Sequence, residues 1–280
     1  LRQSTTGRYL MYFSPDDLNW HSYDVQTGVT SNVTASAGVN FFNEENDTPS
    51  IPGSYGSPVW LENDEAGIIP DRYDLWKFSP DGKKVQNLTK GVGRAAGVQF
   101  RYTDFVDDPD AAAMRSAGIT KGLARKSRIW LTAFNENDKR NGLGTVSIAA
   151  PEDPVFFLDT FSFTSPVKAK NADVIAFKKG NFRMSPDQYI TRDAFKTDVK
   201  LSAINPQQND YVWGNVQLVD WKAYDGTPLK GLLFTPDNLD KSKKYPMMIY
   251  FYEKYSETLY DYRSPAPSRS TVNIPFSTSR

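Results

Sequence analysis

The chain has 280 residues, enough for one large or two ordinary domains with a sizeable buried core. Its 33 basic and 33 acidic residues cancel, so neither nucleic acid nor an anionic membrane surface is an expected partner, and its longest apolar run, residues 247–252, is far short of the roughly 20 residues that a membrane span needs. It has no cysteine, which excludes disulfides, thiolate metal ligands and a cysteine nucleophile, and the sequence predicts no cofactor.

Short apolar and aromatic runs separated by turn residues predict a mostly β protein. Residues 9–13 and 20–25 flank a Ser-Pro-Asp-Asp turn and form a predicted hairpin, which a third strand at residues 29–33 extends. A second unit of the same kind follows, with an Asp-Gly hairpin turn at Asp81. Its predicted strands are residues 59–61, 67–69, 74–78 and 84–88.

The two units repeat in sequence. Trp20 is followed by Asn32-Val33-Thr34, and Leu75, which is 55 positions further on, is followed at the same spacing by Asn87-Leu88-Thr89. A β-propeller blade is a four-stranded sheet that repeats at about 40 to 50 residues, and an insertion at residues 35–57 accounts for the longer offset. Two looser units follow, with predicted strands at residues 129–134, 144–149 and 155–163, then 174–178, 188–191 and 199–203. The sequence therefore predicts a partial β-propeller of about four blades.

The pattern changes near residue 205, where we place a domain boundary between residues 1–205 and residues 206–280. After it, residues 216–222 and 229–235 flank an Asp-Gly turn and form a predicted hairpin. Residues 247–252 form a continuous apolar run, typical of a strand inside a sheet that is covered on both faces. Between the second and third units, residues 111–115 predict a short helix that follows three N-terminal aspartates.

The segments WKAYDGTPLKG at residues 221–231 and KYPMMIYFY at residues 244–252 resemble the entry into the hydrolase domain of the prolyl oligopeptidase family of serine peptidases. NEENDTP at residues 43–49 and DRYDLW at residues 71–76 resemble propeller segments of bacterial members more weakly. The family includes dipeptidyl peptidase IV and acylaminoacyl peptidases, and it places a β-propeller before an α/β-hydrolase domain. The resemblance thus implies propeller blades followed by the first strands of a hydrolase domain.

The resemblance also implies an activity, which is hydrolysis of peptide bonds by a serine, aspartate and histidine triad, with the propeller gating access of peptide substrates. No Gly-x-Ser-x-Gly motif occurs in the sequence, so we expect the triad in the remainder of a longer parent polypeptide and the isolated chain to be inactive. The catalytic residue that the resemblance assigns to this chain is Tyr252, whose hydroxyl would donate to the oxyanion. Many relatives follow this tyrosine with Gly-Gly or Ala-Gly, whereas Glu253-Lys254-Tyr255 follows here.

Other polar residues have simpler interpretations. Glu44 and Glu45 resemble the paired glutamates that bind a substrate amine in dipeptidyl peptidases, but a solvated loop is the favoured interpretation. His21, the only histidine, is predicted to be a structural strand residue. Three aspartates, Asp107, Asp108 and Asp110, lack an EF-hand pattern and suit helix capping. Asn32, Asn46 and Asn87 begin Asn-x-Thr sequons, two of which mark the repeat.

Two other functions stay open. The chain could be a propeller that acts only as a binding or scaffold module, with its last part as an accessory β-unit, or a propeller that binds or cleaves glycans. Localisation, substrate preference and oligomeric state do not follow from the sequence. The resemblance alone suggests a periplasmic or secreted protein, and a homo-oligomer is one possible assembly.

Overall fold

The computed structural model describes residues 1–105, 121–251, 254–265 and 272–279. The chain forms two compact units, Leu1–Asn135 with Leu143–Phe157, and Glu136–Gly142 with Leu158–Arg280. The predicted helix at residues 111–115 and its three aspartates lie outside the described residues. In the part that is described, no helix is long and apolar enough to cross a membrane.

Each of the four-stranded sheets in the described ranges is an antiparallel meander of consecutive strands. The first contains β1 (Arg2–Gln3), β2 (Tyr9–Ser14), β3 (Asn19–Asp24) and β4 (Thr30–Asn32), and the second contains β5 (Val59–Trp60), β6 (Gly67–Pro70), β7 (Leu75–Phe78) and β8 (Val85–Asn87). The third contains β9 (Val98–Thr103), β10 (Arg128–Asn135), β11 (Asn141–Ser147) and β12 (Val155–Phe156). The fourth contains β13 (Ser162–Lys168), β14 (Ile175–Asn181), β15 (Met184–Thr191) and β16 (Val199–Lys200). The prediction of a mostly β protein is confirmed.

A two-stranded hairpin follows the sheets. β17 (Asn215–Lys222) pairs in register with β18 (Pro228–Thr235), as the sequence predicted from the Asp-Gly turn. The helices in the described ranges are single turns, namely α1 (Val92–Ala96), α2 (Ile274–Thr278) and 3₁₀ segments at Ala35–Ala37, Glu62–Asp64, Pro206–Asp210 and Tyr255–Thr258.

The core of the first two sheets is aromatic and aliphatic. Its buried side chains come from both sheets, from the residue that follows β4 and from the insertion at residues 35–57, and they are Met11, Trp20, Val33, Phe41, Trp60, Ile69 and Phe78. Phe41 meets Phe78 edge to face, with ring centroids 5.4 Å apart. Gly67 makes room for this packing, because a Cβ there would lie 3.0 Å from the Met11 Cε. Burial of this apolar surface is the main force that fixes the inward face of each strand.

Two features of the third and fourth sheets differ from the sequence prediction. The stretch 155–163, predicted as one strand of the third unit, divides into β12 and the start of β13, and β13 belongs to the next sheet. The chain turns between them, where Asn141 and Asp159 exchange backbone hydrogen bonds of 2.7 and 3.2 Å. β9 was not predicted at all.

The third difference concerns residues 247–252, which were predicted as an interior strand. Residues 246–251 form no strand in the structure, and Met247, Ile249 and Phe251 are 73%, 74% and 87% exposed. The physical reason is that a strand needs neighbours for its backbone N–H and C=O groups, and no described strand pairs with this segment.

Candidate functional site

The predicted oxyanion donor, Tyr252, lies outside the described residues, as does Glu253. Its role therefore stays a prediction, and only the residues on either side of it have a described geometry. Before it, the exposed Met247 and Ile249 precede Tyr250, whose ring meets that of Tyr255 edge-on at 5.4 Å. This aromatic pair thus joins the segment that precedes Tyr252 to the segment that follows it.

The segment after Tyr252 is held in place at several points. Lys254 has a left-handed φ of 47° and leads into the 3₁₀ turn Tyr255–Thr258. Leu259 is buried, and the Tyr262 ring stacks on Trp213 at 5.6 Å with an interplanar angle of 9°. Burial raises the pKa of the neighbouring Tyr260 above its ordinary value. Residues 254–262 are therefore anchored by packing in their own unit.

Arg263 forms the centre of a cluster in this segment. Its guanidinium carbon lies 4.8 Å from the Tyr255 ring centroid and 5.5 Å from that of Phe234. One terminal nitrogen donates to the Tyr255 hydroxyl at 2.8 Å, and the other donates to Thr258 Oγ1 at 2.6 Å. Phe234 comes from β18, so the cluster joins the hairpin to the 3₁₀ turn.

Asp237 closes the open end of the hairpin. Its carboxylate accepts hydrogen bonds from the backbone N–H groups of Trp213 and Gly214, at 3.3 and 3.1 Å, and pairs with Arg183. Arg183 holds the pKa of this carboxyl below its ordinary value. Gly214 has a φ of 98°, a conformation that a residue with a Cβ rarely adopts.

The structure places Glu44 and Glu45 in an exposed loop, as the sequence interpretation favoured. Glu45 forms an ion pair with Arg72 at 2.7 Å. Glu44 accepts from Asn40 Nδ2 at 3.1 Å, and its backbone N–H donates to the Tyr55 hydroxyl at 2.8 Å. Burial raises the pKa of Tyr55. Both carboxylates therefore have partners within the protein.

His21 lies on β3 and stacks on Tyr12 with ring centroids 5.5 Å apart. Its Nε2 is 2.9 Å from an oxygen of Asp17, which also accepts from Asn32 Nδ2 at 3.0 Å. Within the described ranges, no group of three or more His, Cys, Asp or Glu side chains could hold a metal ion. The surroundings of His21 fit the structural role that the sequence predicted.

A cavity of about 120 Å³ is lined by residues of the second sheet and of β9. Val59, Ile68, Leu75 and the side chains of Arg101 and Tyr102 contribute to its lining. Ligand pockets for drug-sized molecules are usually about 300–1,000 Å³, so this cavity is too small to hold a peptide.

Comparison with known proteins gives a likeness of fold. No protein-family model and no curated protein sequence matches the chain. A solved structure from Bacteroides ovatus, named as a dipeptidyl aminopeptidase IV, is similar over 87% of this chain, with a TM-score of 0.54 and 16% sequence identity. A puromycin-hydrolysing peptidase of Mycobacterium tuberculosis is 12% identical over 84% of the chain, with a TM-score of 0.46. The chain spans about a third of each of these proteins, 34% in both cases.

Proposed function

We propose that this chain is part of a serine peptidase of the prolyl oligopeptidase family. The observation that supports the proposal most is the fold likeness over 87% of the chain to the Bacteroides ovatus protein, of which it spans 34%. The two hydrolase-entry segments at residues 221–231 and 244–252 support it independently, since they follow the sheets in the order that the family requires. The substrate class is short peptides.

In this proposal, residues 1–205 are propeller blades and residues 206–280 begin the α/β-hydrolase domain. Four successive antiparallel meanders support the first part, because a four-stranded meander is the unit of a propeller. The two-stranded hairpin β17–β18, which joins none of these sheets, supports the second. The propeller would gate the access of peptides to a triad contributed by the rest of the parent protein.

Tyr252 is the residue of this chain that takes part in catalysis. Its hydroxyl would donate to the negative oxygen of the tetrahedral intermediate, where a preorganised donor stabilises the transition state by about 2.7–4 kcal/mol. The anchored segment 254–263 supports this role, because an oxyanion donor has to be held in position before the charge develops. The strand at residues 247–252 would form when the remaining strands of the hydrolase sheet pair with it.

The second candidate is a propeller that serves only as a binding or scaffold module. The separate hairpin β17–β18 fits this candidate as well, because an accessory β-unit would form a sheet of its own.

A fluorophosphonate probe, which labels activated serines, separates the two functions. We expect labelling of one serine in the complete protein and none in the 280-residue chain. If the complete protein is not labelled and cleaves no peptide, the peptidase proposal is wrong, and labelling of a serine in this chain would contradict the proposed place of the triad.

A further inference from the structure

Arg263 differs from most arginines of this protein in its partners. In the described ranges, seven arginines form an ion pair with an Asp or Glu carboxylate, with nitrogen and oxygen within 3.2 Å. They are Arg8, Arg72, Arg94, Arg125, Arg128, Arg140 and Arg183. Arg263 pairs with none of the described carboxylates. Its partners among the described residues are two neutral hydroxyls and two aromatic rings.

The guanidinium is nevertheless held firmly and partly withdrawn from water. Phe234 and Tyr255 cover it, and the hydroxyls of Tyr255 and Thr258 fix its two terminal nitrogens. Its Nε is buried and has no hydrogen-bond partner among the described residues. A cation that is partly withdrawn from water and has no counter-ion is unfavourable, and an anionic group of a ligand at the terminal nitrogens would supply the missing charge.

We propose that Arg263 is a binding site for a carboxylate group of a peptide ligand. A guanidinium presents its N–H donors in a planar fork that matches the two oxygens of a carboxylate. The two aromatic rings hold the guanidinium in place, and its single positive charge balances a single carboxylate. That the carboxylate belongs to a peptide rests on the proposed function. The carboxylate binding itself does not.

The test is isothermal titration of the protein with the dipeptide Ala-Ala and with its C-terminal amide, which differ only in the carboxylate. We expect the acid to bind about 10-fold more tightly than the amide, as a charge-assisted contact predicts. Arg263→Gln should remove this difference, whereas Arg140→Gln, which removes a partly exposed arginine of the same unit, should keep it. Equal binding of acid and amide, no binding of either, or an unchanged preference in Arg263→Gln would overturn the proposal.

Two further measurements distinguish bidentate carboxylate binding from binding by charge alone and from a phosphate site. Arg263→Lys keeps the charge but loses the fork, and we expect it to lose most of the preference, so full retention would contradict bidentate binding. Inorganic phosphate should compete with Ala-Ala less well than acetate does, and the reverse order would show a phosphate site instead. The titration requires no catalysis. Carboxylate binding without serine labelling would therefore support the site and refute the peptidase, and labelling without carboxylate binding would do the opposite.

Discussion

The hydroxyl of Thr89 donates a 2.6 Å hydrogen bond to the Asp74 carboxylate. The same hydroxyl accepts from the backbone N–H of Leu75 at 3.2 Å, so it joins the start of β7 to the end of β8. Two other sheets contain the same bridge. In each, a hydroxyl accepts a hydrogen bond from the backbone N–H of the residue 14 positions earlier and donates one to the side chain of the residue 15 positions earlier. These bridges join Thr34 to Trp20 and Asn19, and Ser202 to Gln188 and Asp187. We call this contact the hydroxyl bridge.

The hydroxyl bridge should contribute measurably to stability. Thr89 is fully buried, and Thr89→Val keeps its shape while leaving the Leu75 N–H without its acceptor. Such a loss costs about 1–3 kcal/mol, so we expect urea unfolding to show a decrease of that size. Thr89→Ser keeps the hydroxyl and should lose less. Equal stability of the valine variant and the wild type would show that the repeated bridge has no energetic role.

Stability should fall in acid through the Arg8–Asp24 pair. The Arg8 hydrogen bond, with an Nη2–Oδ2 distance of 2.7 Å, lowers the pKa of Asp24 to about 2, below the ordinary value of about 3.9. A carboxyl whose pKa is lower in the folded state stabilises the protein above the unfolded pKa, and this contribution is lost as the pH falls from about 4 to about 2.

Comparison with Asp24→Asn isolates this contribution from that of the other carboxylates. We expect the difference in urea midpoint between wild type and variant to shrink between pH 5 and pH 2.5, and a difference that is constant over this range would contradict the assigned pKa.

The 280-residue chain should self-associate. Residues 247–251 combine exposed apolar side chains with backbone groups that pair with no described strand, and such segments recruit other strands. We expect light scattering to show a mass that rises with concentration. Ile249→Asp should reduce this rise, whereas Val29→Asp, at a single exposed valine, should not. A monomer over a wide concentration range would refute the prediction.

The sequence predicts the strands best where alternation and turn residues occur together. β2, β3, β17 and β18 each border a turn with Pro-Asp or Asp-Gly, and all of them form where expected. β9 was missed although Val98 and Phe100 alternate with polar residues, because no turn residues of that kind precede it and a helical turn does.

The contacts of the candidate site were harder to predict. Arg263 meets Phe234 and Tyr255 only through the fold, and no pattern in the sequence distinguishes it from a solvated arginine. The hydroxyl bridge had a visible signal in the repeated Asn-x-Thr, but the third copy uses Ser202 and has no such sequence. The strand predicted at residues 247–252 depends on pairing partners, which local hydrophobicity does not reveal.

The most direct test of the account is the kinetics of Tyr252→Phe in the complete protein. The variant keeps the ring and loses only the hydroxyl, so it should lose stabilisation of the developing oxyanion. We predict that kcat falls about 10²- to 10³-fold. KM should change little, because the donor engages the transition state more than the ground state.

Tyr250→Phe and Tyr255→Phe are the matched controls, because they lie on either side of Tyr252 and pack against each other. Each should cost much less in kcat than Tyr252→Phe. If Tyr252→Phe keeps nearly full kcat, or if Tyr255→Phe is the variant that loses it, the assignment of Tyr252 as the oxyanion donor is wrong.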